Sequence, residues 1–403
     1  MYKFRKNNVS VLVVVDKRRM KNNGRYPVKI EVICRRKQKY YPTGKDVTLN
    51  EWDTMWNSRR LSEKGASIES SFNYIRTQVE ELTNIGRFSF ASLDSRLGYN
   101  MMSVNDILRN KMNSILKQGR INSYYRYRST LKALETYGGP KIDFNAVTSE
   151  WLERCESAWV KEGRSETTIS IYMKTLRCIF NEAVDSGIIR ETECPFGKNK
   201  YRIPKAKKRE MALTKEQIIS IQEWHGDSKT EYWRDLWLFS YLCNGVNFRD
   251  MLFLRYRDII DGEICFIRSK TVKTNGRSQV IKVPILPEMK RIMERSGRGI
   301  HGDPDSYIFR HAMNQSRPME VSLLTRKVIN KCNNALKKIA RDLKIPSFST
   351  YSARHSFATI LMRSGADMKY ISESLGHANI EMTWNYIAGF DRDERMRYAS
   401  MLL

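Results

Sequence analysis

The C-terminal sixty residues of this chain carry an arginine, a histidine and a tyrosine in an order that suits chemistry on a phosphate. Arg354-His355 is followed by Leu375-Gly376-His377, and Tyr386 stands nine residues beyond that histidine. Arginine offers a planar fork of donors that grips two phosphate oxygens. Histidine can donate a further hydrogen bond to charge developing on phosphorus. Tyrosine supplies an oxygen nucleophile that forms a covalent ester. Local signals indicate how these groups are held. Residues 351–358 read as a helix start, with Ser349 or Thr350 as N-cap and Gly365 as the stop. A second short helix over 369–375 ends at Gly376, which puts His377 in the tight turn beyond it. Asn379 can cap a third helix that carries Tyr386 near its far end.

Two earlier stretches bear on the same chemistry. Residues 264–270 read as a strand, Asn275-Gly276 as a hairpin turn, and 279–284 as the returning strand. Arg268 and Lys270 are two residues apart, so strand geometry would aim both at one face, roughly 7 Å apart. Lys273 is near enough to compete with Lys270. In Cys243-Asn244-Gly245-Val246-Asn247-Phe248-Arg249-Asp250, Asn247 reads as the cap of a helix starting at Phe248, with Asp250 three residues on.

Composition narrows the partners. The 403 residues include 71 Lys or Arg against 44 Asp or Glu, a net charge of +27. That excess favours a polyanion. No stretch approaches the ~20 apolar residues of a membrane helix. The apolar run 11–15 is too short for a signal-peptide core and reads as a buried strand. Seven scattered cysteines with no Cys-x-x-Cys pair read as reduced thiols of a cytoplasmic protein. With five histidines and no ligand-spaced cluster, no metal or other cofactor is expected.

The pattern divides the chain into three domains joined by a linker. Residues 1–95 open with strand signals at 9–15, 27–34 and 39–43, with turns at Asn22-Asn23-Gly24 and at Arg35-Arg36-Lys37-Gln38. A helical segment follows at about 68–85. The first sixty residues hold 16 Lys or Arg and 5 Asp or Glu, so the basic bias is local. Arg35, Arg36, Lys37 and Lys39 at one hairpin end are its candidate DNA contacts. Residues 103–197 are helical by periodicity, over 104–118, 124–137, 147–162 and 167–186. In the first helix Ile107, Leu108, Met112, Ile115 and Leu116 form the apolar stripe, and Ile171 heads that of the last. Arg126 and Arg128 interleave with tyrosines and are further candidates for DNA contact. Residues 198–209 form a basic linker with seven cations, Lys205, Lys207, Lys208 and Arg209 among them. Residues 210–403 carry the chemistry.

The run of Arg354-His355, Leu375-Gly376-His377 and Tyr386 resembles the closing pattern of the tyrosine recombinase (phage-integrase) family. The N-terminal sheet, with Tyr40 to Gly44 and Trp52, resembles the arm-DNA-binding domain of conjugative-transposon integrases, and the four-helix block a SAM-like core-binding domain. The resemblance implies a multidomain, mainly α chain: a small N-terminal β-sheet domain, a helical core-binding domain, and a mixed α+β, mostly helical catalytic domain. It implies Tyr386 as nucleophile, Arg354 and His377 as phosphate ligands, and Lys270 as general acid to the leaving 5′ oxygen. It implies that the linker crosses DNA as part of a clamp.

Two positions depart from the family pattern. Asn247 stands where the family has its first catalytic arginine, and Tyr351 where it has a histidine. Arg268 is the expected replacement for the missing charge, ahead of Arg249, which a helix would turn about 200° away from Asn247. Tyr351 can donate a hydrogen bond, but with a reference pKa near 10 it is a poor base. The expected activity is site-specific recombination, integration or inversion, through a 3′-phosphotyrosine without metal or nucleotide. Expected partners are double-stranded DNA, accessory DNA-bending proteins, and copies of the chain, monomeric in free solution and tetrameric on DNA. The tail 392–403 is the expected docking helix. A nucleoid-associated location goes with this reading. The competing readings are a type IB topoisomerase and a decayed DNA-binding scaffold.

Overall fold

The computed structural model describes residues 2–56, 61–99, 102–205, 211–270, 279–299, 303–311, 317–377, 379–389 and 392–402. It divides into two compact units, Met1–Lys207 and Lys208–Leu403.

In the first unit, Val28, Ile30 and Val32 alternate with Lys29 and Glu31, and this period of two buries one face of a sheet. Strands β1 (Lys3–Lys6), β2 (Val9–Val15), β3 (Tyr26–Cys34) and β4 (Lys37–Val47) form an antiparallel meander in sequence order. Val11 pairs with Val32 and Val13 with Ile30, and all four are buried. Helix α1 (Leu49–Met55) starts from a Thr48–Glu51 capping box. Helix α2 (Glu63–Asn84) adds Ile68, Phe72, Val79 and Leu82 to the core beneath the sheet, and α3 (Phe90–Arg96) follows. Strand β1 has no counterpart in the sequence reading. It is a short edge strand of mostly charged residues, where burial leaves little pattern. The second expected turn is also tighter than its sequence suggested. Only Arg35 and Arg36 form it, both at positive φ (49° and 66°), and Lys37 already belongs to β4.

Four helices complete this unit: α4 (Val104–Lys117), α5 (Ile121–Gly138), α6 (Ser149–Lys161) and α7 (Glu166–Asp185). Ser103, Thr148 and Ser165 cap α4, α6 and α7 through their hydroxyls. Leu108, Ile115, Leu134, Leu152, Trp159 and Phe180 form a core of their own. Two expected core residues lie outside it: Leu116 is 37% exposed and Ile171 39%. Each sits at the edge of its helix's buried stripe. The expected linker begins later than residue 198. Tyr201 is buried in the bundle core and donates to Glu156 at 2.5 Å. The strand-bearing part and the bundle meet at the end of α7. There Arg87 donates to the Val184 carbonyl at 2.7 Å and Ser92 to that of Ser186 at 2.6 Å.

The second unit is built around α9 (Ser228–Leu242), whose Leu236, Trp237 and Phe239 are buried against Val328, Cys332 and Leu336 of α12 (Pro318–Asp342). Around this pair lie α8 (Lys215–Glu223), α10 (Phe248–Leu252), α11 (Pro287–Ser296), α13 (Ser352–Arg363), α14 (Met368–Ser374), α15 (Glu381–Trp384) and α16 (Arg392–Ser400). A three-stranded sheet of β5 (Ile259–Ile260), β6 (Glu263–Ile267) and β7 (Val280–Pro284) is antiparallel throughout. The turn at Asn275-Gly276 and Lys273 lie outside the described residues. The tail is helical over α16, with Met396, Tyr398, Met401 and Leu402 exposed.

Candidate active site

Helix α13 begins at Ser352, so its N-cap is Tyr351, one residue later than Thr350, and there is no side-chain cap bond. Thr350 instead donates its backbone N–H to Asn333 at 2.8 Å. Arg354, on the buried face of α13, donates to the carbonyls of Gly245 (3.2 Å) and Leu375. Helix α14 ends in a Schellman turn: the N–H of His377 reaches the Ser372 carbonyl (3.0 Å), and that of Gly376 the Glu373 carbonyl (2.9 Å). Gly376 has φ +63°, and a Cβ there would lie 2.7 Å from Ile281, so the turn that delivers His377 needs glycine. Asn379 accepts from the Glu381 N–H but stands one residue before the N-cap, Ile380, and α15 ends at Trp384. Tyr386 therefore sits beyond the helix, in a turn closed by its own N–H on the Thr383 carbonyl.

The three family residues meet. The Tyr386 ring stacks on His377, with centroids 4.9 Å apart, and lies over the Arg354 guanidinium at 5.1 Å. Arg354 donates to Nε2 of His377 at 3.1 Å. Because a guanidinium can only donate, Nε2 is the acceptor, and the proton of the neutral ring is on Nδ1, 3.0 Å from the Thr383 hydroxyl. Burial, then the charges of Arg354, Arg268 and Lys270, hold the His377 pKa down to about 3. Burial and Arg268 lower Arg354 to about 10, which leaves it charged at neutral pH. For Tyr386, burial alone would raise the pKa. A hydrogen bond from Tyr351 and the charges of Arg354 and Arg268 outweigh it and bring the hydroxyl below its ordinary value.

The other wall comes from the hairpin and α10. Strand β6 ends at Ile267, so the alternation expected to aim Arg268 and Lys270 together does not operate beyond it. Arg268 turns inward, 5% exposed, within hydrogen-bonding reach of Tyr386. Lys270 is exposed at the mouth, close enough for its charge to act on His377. Asn247 occupies the expected N-cap position of α10, but its side chain makes no cap hydrogen bond. Asp250 is no cap partner either: its carboxylate accepts the Ser269 N–H at 3.2 Å, tying α10 to the segment that carries Arg268 and Lys270. Arg249 is exposed.

The expected DNA contacts are spread over the first unit. Arg35, Arg36 and Lys37 are exposed at the hairpin tip, whereas Lys39 is half-buried and ion-paired with Asp94. Arg126 and Arg128 are exposed on α5 and lie over the rings of Tyr127 and Tyr125. Lys205 is exposed, and Lys207, Lys208 and Arg209 lie outside the described residues.

Several working residues were given no role in the sequence reading. His355 approaches the Tyr386 carbonyl with Nδ1 (3.0 Å), and Thr359 donates to the same oxygen (3.4 Å) while accepting from Ala388 (3.1 Å). Their i, i+4 spacing on α13 was the available signal. Gly245, at φ +60°, lets the backbone approach so closely that a Cβ would lie 2.5 Å from Cα of Arg354.

Three family models match successive parts of the chain. The Arm DNA-binding domain model matches residues 13–87, the phage integrase SAM-like domain model 103–203, and the phage integrase family model 211–392. A tyrosine recombinase of Thermosipho africanus is 24% identical over 281 residues, covering 68% of this chain and 90% of that protein. The tyrosine recombinase XerD of Chlamydia muridarum is 28% identical over 251 residues, covering 59% and 73%. The fold is similar to the Tn1549 transposon integrase in complex with a circular intermediate DNA, at a TM-score of 0.53, 16% identity, and 75% and 100% coverage. It is also similar to the lambda integrase tetramer bound to a Holliday junction, at 0.53, 17% identity, and 97% and 99% coverage. The chain belongs to the phage-integrase, or tyrosine recombinase, family of site-specific recombinases.

Proposed function

We propose that the second unit cuts and rejoins DNA through Tyr386. A backbone phosphate of double-stranded DNA enters the pocket and displaces the Tyr386 ring from above Arg354, while the Tyr386 carbonyl stays held by His355 and Thr359. The Tyr386 oxygen attacks phosphorus, the bond from phosphorus to the 5′ oxygen breaks, and a 3′-phosphotyrosine forms. Lys270, exposed at the mouth, gives a proton to the leaving 5′ oxygen. The 5′ hydroxyl of a partner strand then reverses the step. Because the ester retains the bond energy, no nucleotide is required.

Arg354 and Arg268 stabilise the charge developing on the phosphate. For His377 to donate as well, Nε2 must first be released from Arg354, which the incoming phosphate would bring about by taking the guanidinium donors. One observation carries this reading: the charges of Arg354 and Arg268 act on the Tyr386 hydroxyl, while His377, held by Arg354, stacks on its ring.

The exposed Arg35-Arg36-Lys37 tip supports arm-type DNA contact by residues 1–95, and Arg126 with Arg128 supports core-site contact by residues 103–197. The exposed apolar residues of α16 and the likeness to a lambda integrase tetramer support assembly as a tetramer on DNA, with α16 docking on a neighbouring protomer. The test is a nicked duplex that traps the covalent complex. The wild-type chain should become attached to DNA, and Tyr386→Phe should bind but not attach. Attachment by the Phe variant would reject Tyr386 as nucleophile.

A further inference from the structure

We propose that Tyr351 is a catalytic residue that holds the nucleophile from its own helix: its hydroxyl donates to the Tyr386 oxygen and keeps that oxygen between the two arginines. The inference rests on Tyr386 as nucleophile but assigns a role which that reading does not need.

The observation is a direct contact. The Tyr351 hydroxyl donates to the Tyr386 hydroxyl at 3.1 Å. Tyr351 is the N-cap residue of α13, three positions before Arg354, so the phenol and the guanidinium rise from one helical face. Its ring is braced edge-on by His355, with centroids 5.0 Å apart. The same His355 ring lies 5.0 Å from Tyr386, so one imidazole sets the spacing of both phenols.

The direction of the bond follows from the charges around the pair. Among the described residues, the titratable groups around Tyr386 come from three elements, and the charge of exposed Lys270 reaches the His377 ring that stacks on it. From α13 come Tyr351, Arg354 and His355; from the turn after α14, neutral His377; from the end of β6, Arg268. The two guanidinium groups favour negative charge on the Tyr386 oxygen, so it accepts. Tyr351 is 43% exposed, and on it burial and the Tyr386 oxygen outweigh the same two charges, so it keeps its proton and donates. The shifts agree: Tyr351 is raised, by burial first and then by Tyr386, while Tyr386 is lowered.

A donor to the attacking oxygen has two effects. It fixes the aim of a side chain that otherwise rotates about two bonds, and it increases the fraction of phenolate at neutral pH. The attacking species is that phenolate. Its proton leaves to solvent before the bond to phosphorus forms, and the 5′ oxygen acquires its proton separately. Tyr351 neither gains nor loses a proton in the cycle, which is why a residue unsuited to act as a base can serve here.

The experiment measures single-turnover covalent attachment to a nicked duplex for the full-length chain, Tyr351→Phe and Tyr351→His, from about pH 6 to about pH 10. Melting temperature and half-site binding are measured alongside. Tyr351→Phe should fold and bind DNA like wild type but attach roughly tenfold or more slowly at neutral pH, the size of one hydrogen bond to a charged oxygen. The deficit should close as pH rises past the nucleophile's new, higher pKa. Tyr351→His, which donates through a ring N–H, should recover most of the neutral-pH rate. A Phe variant with the wild-type rate and pH profile overturns the proposal. So does an equal loss at every pH that His does not relieve, since that marks a packing role. Tyr386→Phe, run in parallel, keeps the outcomes apart: attachment there rejects the nucleophile, whatever Tyr351 does.

Discussion

The two walls of the pocket hold their charges by different means. On one side Arg354 is fixed by two backbone carbonyls and the His377 ring, and Gly245 and Gly376 give the backbone the close approaches this requires. On the other side Arg268 stands just past the end of a strand, on a segment tied to α10 by the hydrogen bond from the Ser269 N–H to Asp250. The first wall keeps the family's Arg354, His377 and Tyr386, with Tyr351 as its one departure from the pattern. The second lacks the arginine expected at Asn247 and carries a buried one on a different element. A phosphate in flight needs positive charge at a location, and the element that supplies it is free to vary. Rigid holding is what ties a residue type to one sequence position.

The largest effect should come from the rigid wall. Arg354→Ala removes a phosphate donor and leaves the Gly245 and Leu375 carbonyls and Nε2 of His377 without their donor. Single-turnover cleavage should fall by ~3 kcal/mol or more in transition-state stabilisation, a hundredfold to a thousandfold. A rate within tenfold of wild type would break the comparison at its stronger side.

Next in size is a backbone effect. Gly245→Ala places a methyl carbon 2.5 Å from Cα of Arg354 at a positive φ. It should cost roughly 1–3 kcal/mol of stability and cleavage along with it. Thermal melting of the full chain checks the first part, and an unchanged melting temperature would mean that the wall yields easily.

The pH dependence of stability sharpens the same point. His377 is held neutral, with a folded pKa near 3 against an ordinary value near 6.5. As pH falls below about 6.5 the unfolded chain takes up this proton first, so the stabilising contribution, complete above that pH, drains away toward pH 3. His377→Gln should lose that part of the slope in melting temperature against pH. Parallel slopes for the two proteins would show that the ring titrates normally.

The smallest effect lies in the other unit. Arg35 and Arg36 occupy left-handed backbone positions that Asn and Gly fill more readily. The double change Arg35→Asn, Arg36→Gly should stabilise the chain by about 1 kcal/mol while weakening arm-type DNA binding, as chemical denaturation and a salt titration of binding would report. Loss of stability would mean that these arginines serve the fold.

Much of this was legible in the residues themselves. Period-two alternation in β3, the 3.6 period of α4 to α7, and the order of Arg354, His377 and Tyr386 are local patterns and came through. What failed to come through depends on contacts between elements distant in sequence. Arg268 was singled out by a strand argument that ends one residue too early, yet tertiary packing turns it inward all the same. Asn247 has the right type and place for a cap and makes no cap bond. Thr359 and Thr383 carry no motif of their own, and His355 stands in one without a role attached, because their roles are defined by the loop that Tyr386 happens to lie on. Glycine's role at Gly245 becomes visible only once Arg354 is known to pass beside it.

The central claim is that the hairpin supplies the charge missing at Asn247. Single-turnover covalent attachment to a nicked duplex, measured side by side for Arg268→Ala, Arg249→Ala and Asn247→Arg combined with Arg268→Ala, tests it most directly. The account predicts a loss of about a hundredfold or more for Arg268→Ala, near wild-type rates for Arg249→Ala, and partial recovery in the double variant. Cleavage that survives Arg268→Ala but is abolished by Arg249→Ala would contradict it and return the charge to α10.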